Sequence, residues 1–537
     1  MNHTESLYNG IELPERWPPR NLDPDSRDPM PVPYLESVPA VIPIDVGRQL
    51  FVDNFLIEHT TLERTFHKAE KYEGNPVLKP ETELESNRAH REPILRPGST
   101  ACPFDDAVLY DPKDRLFKMW YMAGHELSTA LAYSRDGIHW ERPKLDVLEN
   151  TNCVIPYDPD FRRDSFSPWL DHDTDRAEER FKAFFFDKTG GRGTDYGWLY
   201  TSADGIHWRR RVRVGCPVGD STSLFYNPFR RKWVLCVRDG LRKEGRARWY
   251  REHCDFLKLA EVGQDTPVFW TRADRHDLPH PEVQTEVPGT TQLYALAASA
   301  YESIMLGVFT IHYGPGNRVC QEGGFPKLTQ LKLGYSRDGF HWSRPDRDDF
   351  IRATRKEGDW DRGYLRGAGG GCLIAGDRLY FYYCGFSGVS MDGEHDIYAG
   401  GSTHLAFLRR DGFASMDAAA QGGLLTTRPV TFSGRHMFVN LDARDGELTV
   451  EVLDLKDNVI EPFSASNCVP VTGDHTKTPV SWRGADDLSA VAGKPVKLRF
   501  HLANGRLYSF WVSPERSGAS HGFVAGGGPD FAGPIDA

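Results

Sequence analysis

YSRDGIHW occupies residues 133–140 and YSRDGFHW residues 335–342, with YTSADGIHW between them at 200–208. Repetition of so specific a phrase marks stacked copies of one structural unit. Asp136 and Asp204 lie 68 residues apart, and Asp338 follows after 134, twice 67. A degenerate copy belongs in the longer gap, where CDFLKL (254–259) around Asp255 is the candidate. RRDGFASMD (409–417) around Asp411 supplies a fifth copy. Five units of roughly 70 residues are too long for tight four-stranded repeats but suit propeller blades carrying insertions.

Inside the units the pattern is β. AVLYDPKDRLFKMWYMA (107–123) is an apolar stretch, a DPKD turn and an alternating strand, hence a hairpin. FKAFFFD (181–187), KWVLCVRDG (232–240), ESIMLGVFTIHYG (302–314) and DRLYFYYCGFSG (377–388) repeat its second strand. In the quoted phrase Asp-Gly supplies residues that tolerate a left-handed turn, and the following Trp packs in the seam. The phrase is therefore scaffolding, and chemistry has to be sought elsewhere.

The expected fold class is all-β, a five-bladed β-propeller followed by a C-terminal β-sandwich. Residues 1–43 read as an extended proline-rich arm, 44–425 as the propeller, 426–513 as the sandwich and 514–537 as a flexible Gly/Ser/Pro-rich tail. IDVGRQLFVDNFLIE (44–58) reads as an ordered strand pair closing the ring. Net charge −11 argues against nucleic acid, and no apolar run reaches the length of a membrane span. The N-terminus lacks a signal-peptide pattern, and the nine cysteines, an odd number without a CxxC pair, read as free thiols of a cytoplasmic protein. No metal-ligand spacing or cofactor motif is present. GAGGG (367–371) has no Lys-Ser/Thr after it and reads as close backbone packing at the channel. Self-association is left open.

In a propeller the first residues of the inner strands converge on one funnel. The acidic residues there are Asp105, with Asp106 as its alternative, Asp164 and Asp220; the fourth unit offers Glu302, with Glu286 upstream. His125, His312 and His404 are further pocket candidates. With VGRQLFVDNFLIE, the blade phrases and GGLLTTRPVTF (422–432), residues 44–512 resemble bacterial propeller proteins related to the N-terminal domain of family 32. The wider likeness is to the five-bladed propeller glycosidases of families 43 and 32. By position, Asp105 resembles the base or nucleophile of those enzymes and Asp164 their second carboxylate, with Ser165 where an Arg-Asp-Pro motif has Pro. Asp220 stands where they carry a glutamic acid, so Glu302 is the expected substitute acid.

The resemblance implies a glycoside hydrolase without cofactor, acting on a small carbohydrate, with furanosides the favoured class. Glycoside cleavage needs one protonated carboxyl and one carboxylate, and crowded acids supply both. Trp169, Tyr294 and Tyr301 are the expected stacking residues, and Arg163 and Arg366 the expected partners of sugar hydroxyls or a carboxylate. The rivals are a glycoside phosphorylase, which needs a basic phosphate pocket, a non-catalytic carbohydrate-binding propeller and, less favoured, a sialidase.

Overall fold

The computed structural model describes residues 5–87, 98–189, 196–241, 245–261 and 266–537. The chain is nearly all β. Three separate four-stranded sheets follow one another along the sequence. The second sheet holds Arg163–Leu170, Phe181–Asp187, Tyr196–Ser202 and Arg209–Arg213. The third holds Ser223–Asn227, Lys232–Leu241, Gly245–His253 and Val268–Arg272. The fourth holds Leu328–Ser336, Ile304–Gly314 and Gln292–Glu302, with Phe523–Val524 added at its inner edge.

The strands ahead of these three sheets and those after them are joined in one ten-stranded sheet. Thr100–Cys102 pairs antiparallel with Leu116–Ala123 on one side and parallel with Gly401–Arg409 on the other. Glu70–Lys71 also joins Gly401–Arg409, so chain from before the first sheet completes the last. The inner strands neighbour one another in cyclic order, and Ala107 bridges Gly369 across the closure. Ring closure thus falls to Glu70–Lys71 and Thr100–Cys102. Residues 44–58, expected to perform it, go elsewhere.

The repeated phrase forms the same turn three times. Asp136 Oδ1 accepts from the amides of Ile138 and His139 at 2.8 and 2.9 Å, while Oδ2 meets His139 Nδ1 at 2.7 Å. Asp204 and Asp338 repeat this set, and Gly137, Gly205 and Gly339 all take positive φ. Each turn is held by a neighbouring sheet. Trp120 Nε1 donates to Gly205 O at 2.7 Å, Trp270 Nε1 to Phe340 O at 2.7 Å and Tyr382 Oη to Gly137 O at 2.5 Å. The phrase ties unit to unit. Asp255 keeps only part of the pattern, accepting from Leu257 N at 3.0 Å. Asp411 is buried in an ion pair with Arg48 at 2.9 Å.

The C-terminal strands form one nine-stranded sheet with strands from both flanks of the ring. Its long strand His436–Leu453 pairs with Gly505–Ser513 along its first half and with Lys497–Ala503 along its second. Gln49–Leu50, Ile57–Thr60 and Glu63–Phe66 belong to this sheet, as do Ala414–Ala418 and Gly423–Thr427. The boundaries expected at 44 and 426 therefore do not divide the strands, because partners distant in sequence complete the sheet. The proline-rich arm is extended, but Leu7, Ile11, Leu13 and Tyr34 are buried in the core of this module. The tail is also not loose. Phe523–Val524 pairs with Tyr301 and Glu302, and Gly526 N donates to Cys372 O at 2.9 Å.

Candidate functional site

Around one end of the ring, the inner strands depart from regular pairing. The first is broken between Thr100–Cys102 and Val108–Asp111, where Asp105 adopts φ 65°. Register shifts occur between Arg163 and Phe166, Leu293 and Ala295, and Gly363 and Arg366. Ser221, just ahead of Ser223–Asn227, has φ 58°, and Tyr364 has φ 53°. Bulges re-aim side chains, and positive φ at non-glycine residues costs of order 1–3 kcal/mol each. Three such residues, Asp105, Ser221 and Tyr364, thus stand beside Asp164, Asp220, Tyr294 and Arg366.

Asp105 and Asp164 both sense Asp220, but the three aspartates differ in environment. Asp105 is ion-paired with Arg366 Nη2, and its Oδ2 is buried without a hydrogen-bond partner. Burial raises its pKa against the pull of Arg366 and Arg248, and the charge of Asp220 raises it further. Asp164 has Lys188 Nζ at 3.4 Å from Oδ2, and its Oδ1 is orphaned. Burial pushes this carboxyl up to about 7 against Lys188, assisted by the charges of Asp220 and Glu126. Asp220 is one-third exposed, with a side-chain exposure of 35%, and Arg238 Nη1 lies 3.3 Å away. Burial would raise it, but Arg238, Arg246 and Lys188 outweigh burial and hold it below the usual carboxylate range. One carboxyl keeps its proton near neutrality while its neighbour stays ionised.

Cations and aromatic rings surround them. Lys188 also pairs with Glu126, and His125 stacks on Tyr398 with centroids 4.2 Å apart. Glu286 takes Arg246 at 2.6 Å and His312 at 3.2 Å. Burial keeps His312 neutral, with its pKa lowered to about 4. Tyr294 Oη accepts from Lys327 Nζ at 3.1 Å and lies 2.9 Å from Tyr364 Oη. Burial would raise this phenol, but Lys327 and Arg246 bring it below its ordinary value. Arg366 lies over Phe104 at 4.0 Å.

The structure brings Asp105, Asp164, Asp220, Tyr294 and Arg366 together and places the other expected residues elsewhere. Arg163 is turned into the protein, onto Asp106 at 2.9 Å and Thr129 Oγ1 at 2.8 Å. That contact occupies Asp106, the alternative to Asp105, whose pKa burial pushes up to about 7. Tyr301 and Glu302 end the eleven-residue strand Gln292–Glu302. At about 3.4 Å per residue they lie roughly 24–27 Å along the strand from Tyr294. Glu302 is fully buried between Arg48 and Arg410, and Tyr301 Oη donates to Asp411 at 2.6 Å. Trp169, five residues beyond Asp164, lines a separate cavity of about 340 Å³ with Tyr226, Ala300 and Phe523. His404 is buried on Gly401–Arg409, 2.9 Å from Ser402 Oγ. In 367–371, Cβ atoms on Gly370 and Gly371 would meet Val108 O at 2.7 Å and Ser299 Oγ at 2.1 Å, so backbone crowding accounts for these glycines.

Sequence reasoning missed Glu126, Lys188, Arg238, Arg246, Lys327, Tyr364 and Tyr398. A signal for some was present. In antiparallel neighbours the end of the second strand is level with the start of the first. Glu126 stands three residues after Leu116–Ala123, Lys188 directly follows Phe181–Asp187, and Arg238 lies late in its own second strand.

No protein-family model and no curated protein sequence matches the chain. Solved structures are similar at low sequence identity. A thermostable family-43 glycoside hydrolase is 9% identical, with 58% of this chain and 91% of that one covered and a TM-score of 0.39. An endo-arabinase from Bacteroides thetaiotaomicron is 11% identical, covering 59% and 97%, with a TM-score of 0.38. A fructofuranosidase from Schwanniomyces occidentalis, complexed with fructose, is 10% identical, covering 75% and 94%, with a TM-score of 0.35.

Proposed function

We propose that the chain is a glycoside hydrolase built on a five-bladed propeller, with the C-terminal sheet folded on itself as a sandwich by its long bent strand. The observation that carries this reading is the pairing in one funnel of Asp164, buried with an unpartnered Oδ1 and pushed up to about 7, with Asp220, partly exposed and held ionised beside Arg238. Environments that drive two acids apart in pKa assign the acid and the base. Asp164 protonates the leaving oxygen, and its orphaned Oδ1 is free for that contact. Asp220, the most exposed of the three, provides the carboxylate on the opposite side of the bond. Asp105, held by Arg366 at the broken inner strand, takes a sugar hydroxyl. Tyr398 offers a partly exposed ring for stacking, and furanosides remain the favoured substrates.

The acid now assigned is not Glu302, which is sealed at the far end of its strand. A panel of nitrophenyl glycosides, arabino- and fructofuranosides included, tests the reading with wild type and the Asp105→Asn, Asp164→Asn and Asp220→Asn variants. Turnover by wild type that collapses in Asp220→Asn is expected. Turnover unchanged in all three variants would contradict the site.

A further inference from the structure

We propose that the funnel contains an oxyanion subsite formed by Arg238 and Arg246 at its rim, above Arg248 and Arg366; this rests on the hydrolase reading of the same funnel. Arg238 and Arg248 are direct cross-strand partners on the third sheet, and Arg246 is two residues from Arg248 on the same strand. Positions two apart share a face, so three guanidinium groups crowd one face of one sheet. Like charges placed directly opposite are destabilising.

The counter-charges do not balance them. Asp220 answers Arg238 and Glu286 answers Arg246. Arg248 is fully buried, its Nη1 donates to Ser221 O at 2.6 Å, and its Nε and Nη2 have no partner. Arg366 spends Nη2 on Asp105 and leaves Nε and Nη1 unpartnered. Lys327 is also buried, bonded only to Tyr294 Oη and Asn317 Oδ1 among its hydrogen-bond acceptors. Among the described residues neither Arg248 nor Lys327 has a carboxylate within ion-pair distance. Unpaired buried cations are costly, and an anion in the funnel relieves that cost. Arg238 and Arg246, with side-chain exposures of 24% and 14%, are the ones a ligand reaches first. Their forked N–H groups fit carboxylate, sulfate or phosphate oxygens.

The oxyanion has two sources, an acidic group on the sugar or inorganic phosphate. With phosphate as co-substrate, the bond from the anomeric carbon to the leaving oxygen breaks and a phosphate oxygen bonds to that carbon. The leaving oxygen takes the proton of Asp164, which Asp164 regains from solvent.

Isothermal titration of the full chain with inorganic phosphate and with sodium glucuronate, glucose serving as the neutral control, tests the subsite. Saturable binding of at least one anion is expected, weakened at least tenfold in Arg238→Gln and Arg246→Gln and partly restored in Arg238→Lys and Arg246→Lys. Thermal melts of the same variants establish that they are folded. Phosphate-dependent turnover with release of a sugar phosphate identifies phosphate as the source and makes the cleavage phosphorolysis in place of hydrolysis; glucuronate binding without phosphate dependence identifies an acidic sugar. Absence of saturable anion binding, or binding unaltered in folded Gln variants, overturns the subsite. Glycoside turnover without anion binding overturns the subsite alone, and anion binding without any glycoside turnover overturns the hydrolase reading.

Discussion

Glu302 and Asp164 are both buried carboxylates on inner strands, yet the protein treats them in opposite ways. Glu302 Oε2 accepts from Arg48 N at 3.1 Å and Ser520 Oγ at 2.6 Å, while Oε1 faces Arg48 Nε at 3.4 Å and Arg410 Nη2 at 3.2 Å. Asp164 has one long contact to Lys188 and an oxygen with none. The first is saturated and joins the N-terminal segment, the fourth sheet and the tail. The second is left short of partners where a ligand can supply them. Burial and charge alone do not separate these two carboxyls; the completeness of their hydrogen bonding does.

Removing each carboxylate breaks or sharpens this contrast. Glu302→Ala removes a fully buried carboxylate shared by Arg48 and Arg410, which keep Asp411 and Asp536, and is expected to cost about 3 kcal/mol of stability. Urea denaturation measures it, and a loss below about 1 kcal/mol would place Glu302 among the dispensable acids. Asp164→Asn is expected to act in the other direction. The folded-state pKa of Asp164, about 7, is raised above its unfolded value. Its contribution is therefore fully present below about pH 4 and is lost as pH rises through about 7. Asn does not ionise, so the variant should gain about 1–3 kcal/mol on wild type between pH 4 and pH 8. A difference in urea midpoint that stays flat with pH contradicts this. The smallest effects belong to the repeated turns. Asp136→Ala, at an exposed copy, should cost less than about 1 kcal/mol, and Asp338→Ala, at the buried copy under the N-terminal arm, about 2 kcal/mol. Equal losses at the two copies would show that burial does not set the weight of the turn.

The repeat was legible because Asp-Gly in a tight turn is a local requirement, repeated at near-constant spacing. The candidate site was legible where an acidic residue stands at or a few residues before the start of a short apolar strand, as at Asp105, Asp164 and Asp220. It was illegible in the fourth unit. QLYALAASAYE is apolar or small almost throughout, so nothing in it marks which end faces the funnel, and Tyr294 and Glu302 looked alike. Trp169 was misplaced for a related reason, since five residues of extended chain carry a side chain about 17 Å from the strand's start. The packed tail and the mixed C-terminal sheet escaped notice because pairing such as Phe523 with Glu302 joins residues far apart in sequence, and composition carries no trace of it.

The central claim is that Asp164, and not Glu302, gives the proton. The direct measurement is the pH dependence of kcat/KM for wild type and Asp164→Asn, on an unactivated disaccharide and on a nitrophenyl glycoside of the same sugar. A general acid contributes about 10²–10⁴-fold, and most where the leaving group is poor. Wild-type activity on the disaccharide should fall as pH rises through about 7, where Asp164 loses its proton. In Asp164→Asn that alkaline limb should vanish, with disaccharide turnover reduced at least a hundredfold and nitrophenyl turnover largely kept. An alkaline limb that survives in Asp164→Asn, or two substrates slowed equally, would contradict the account.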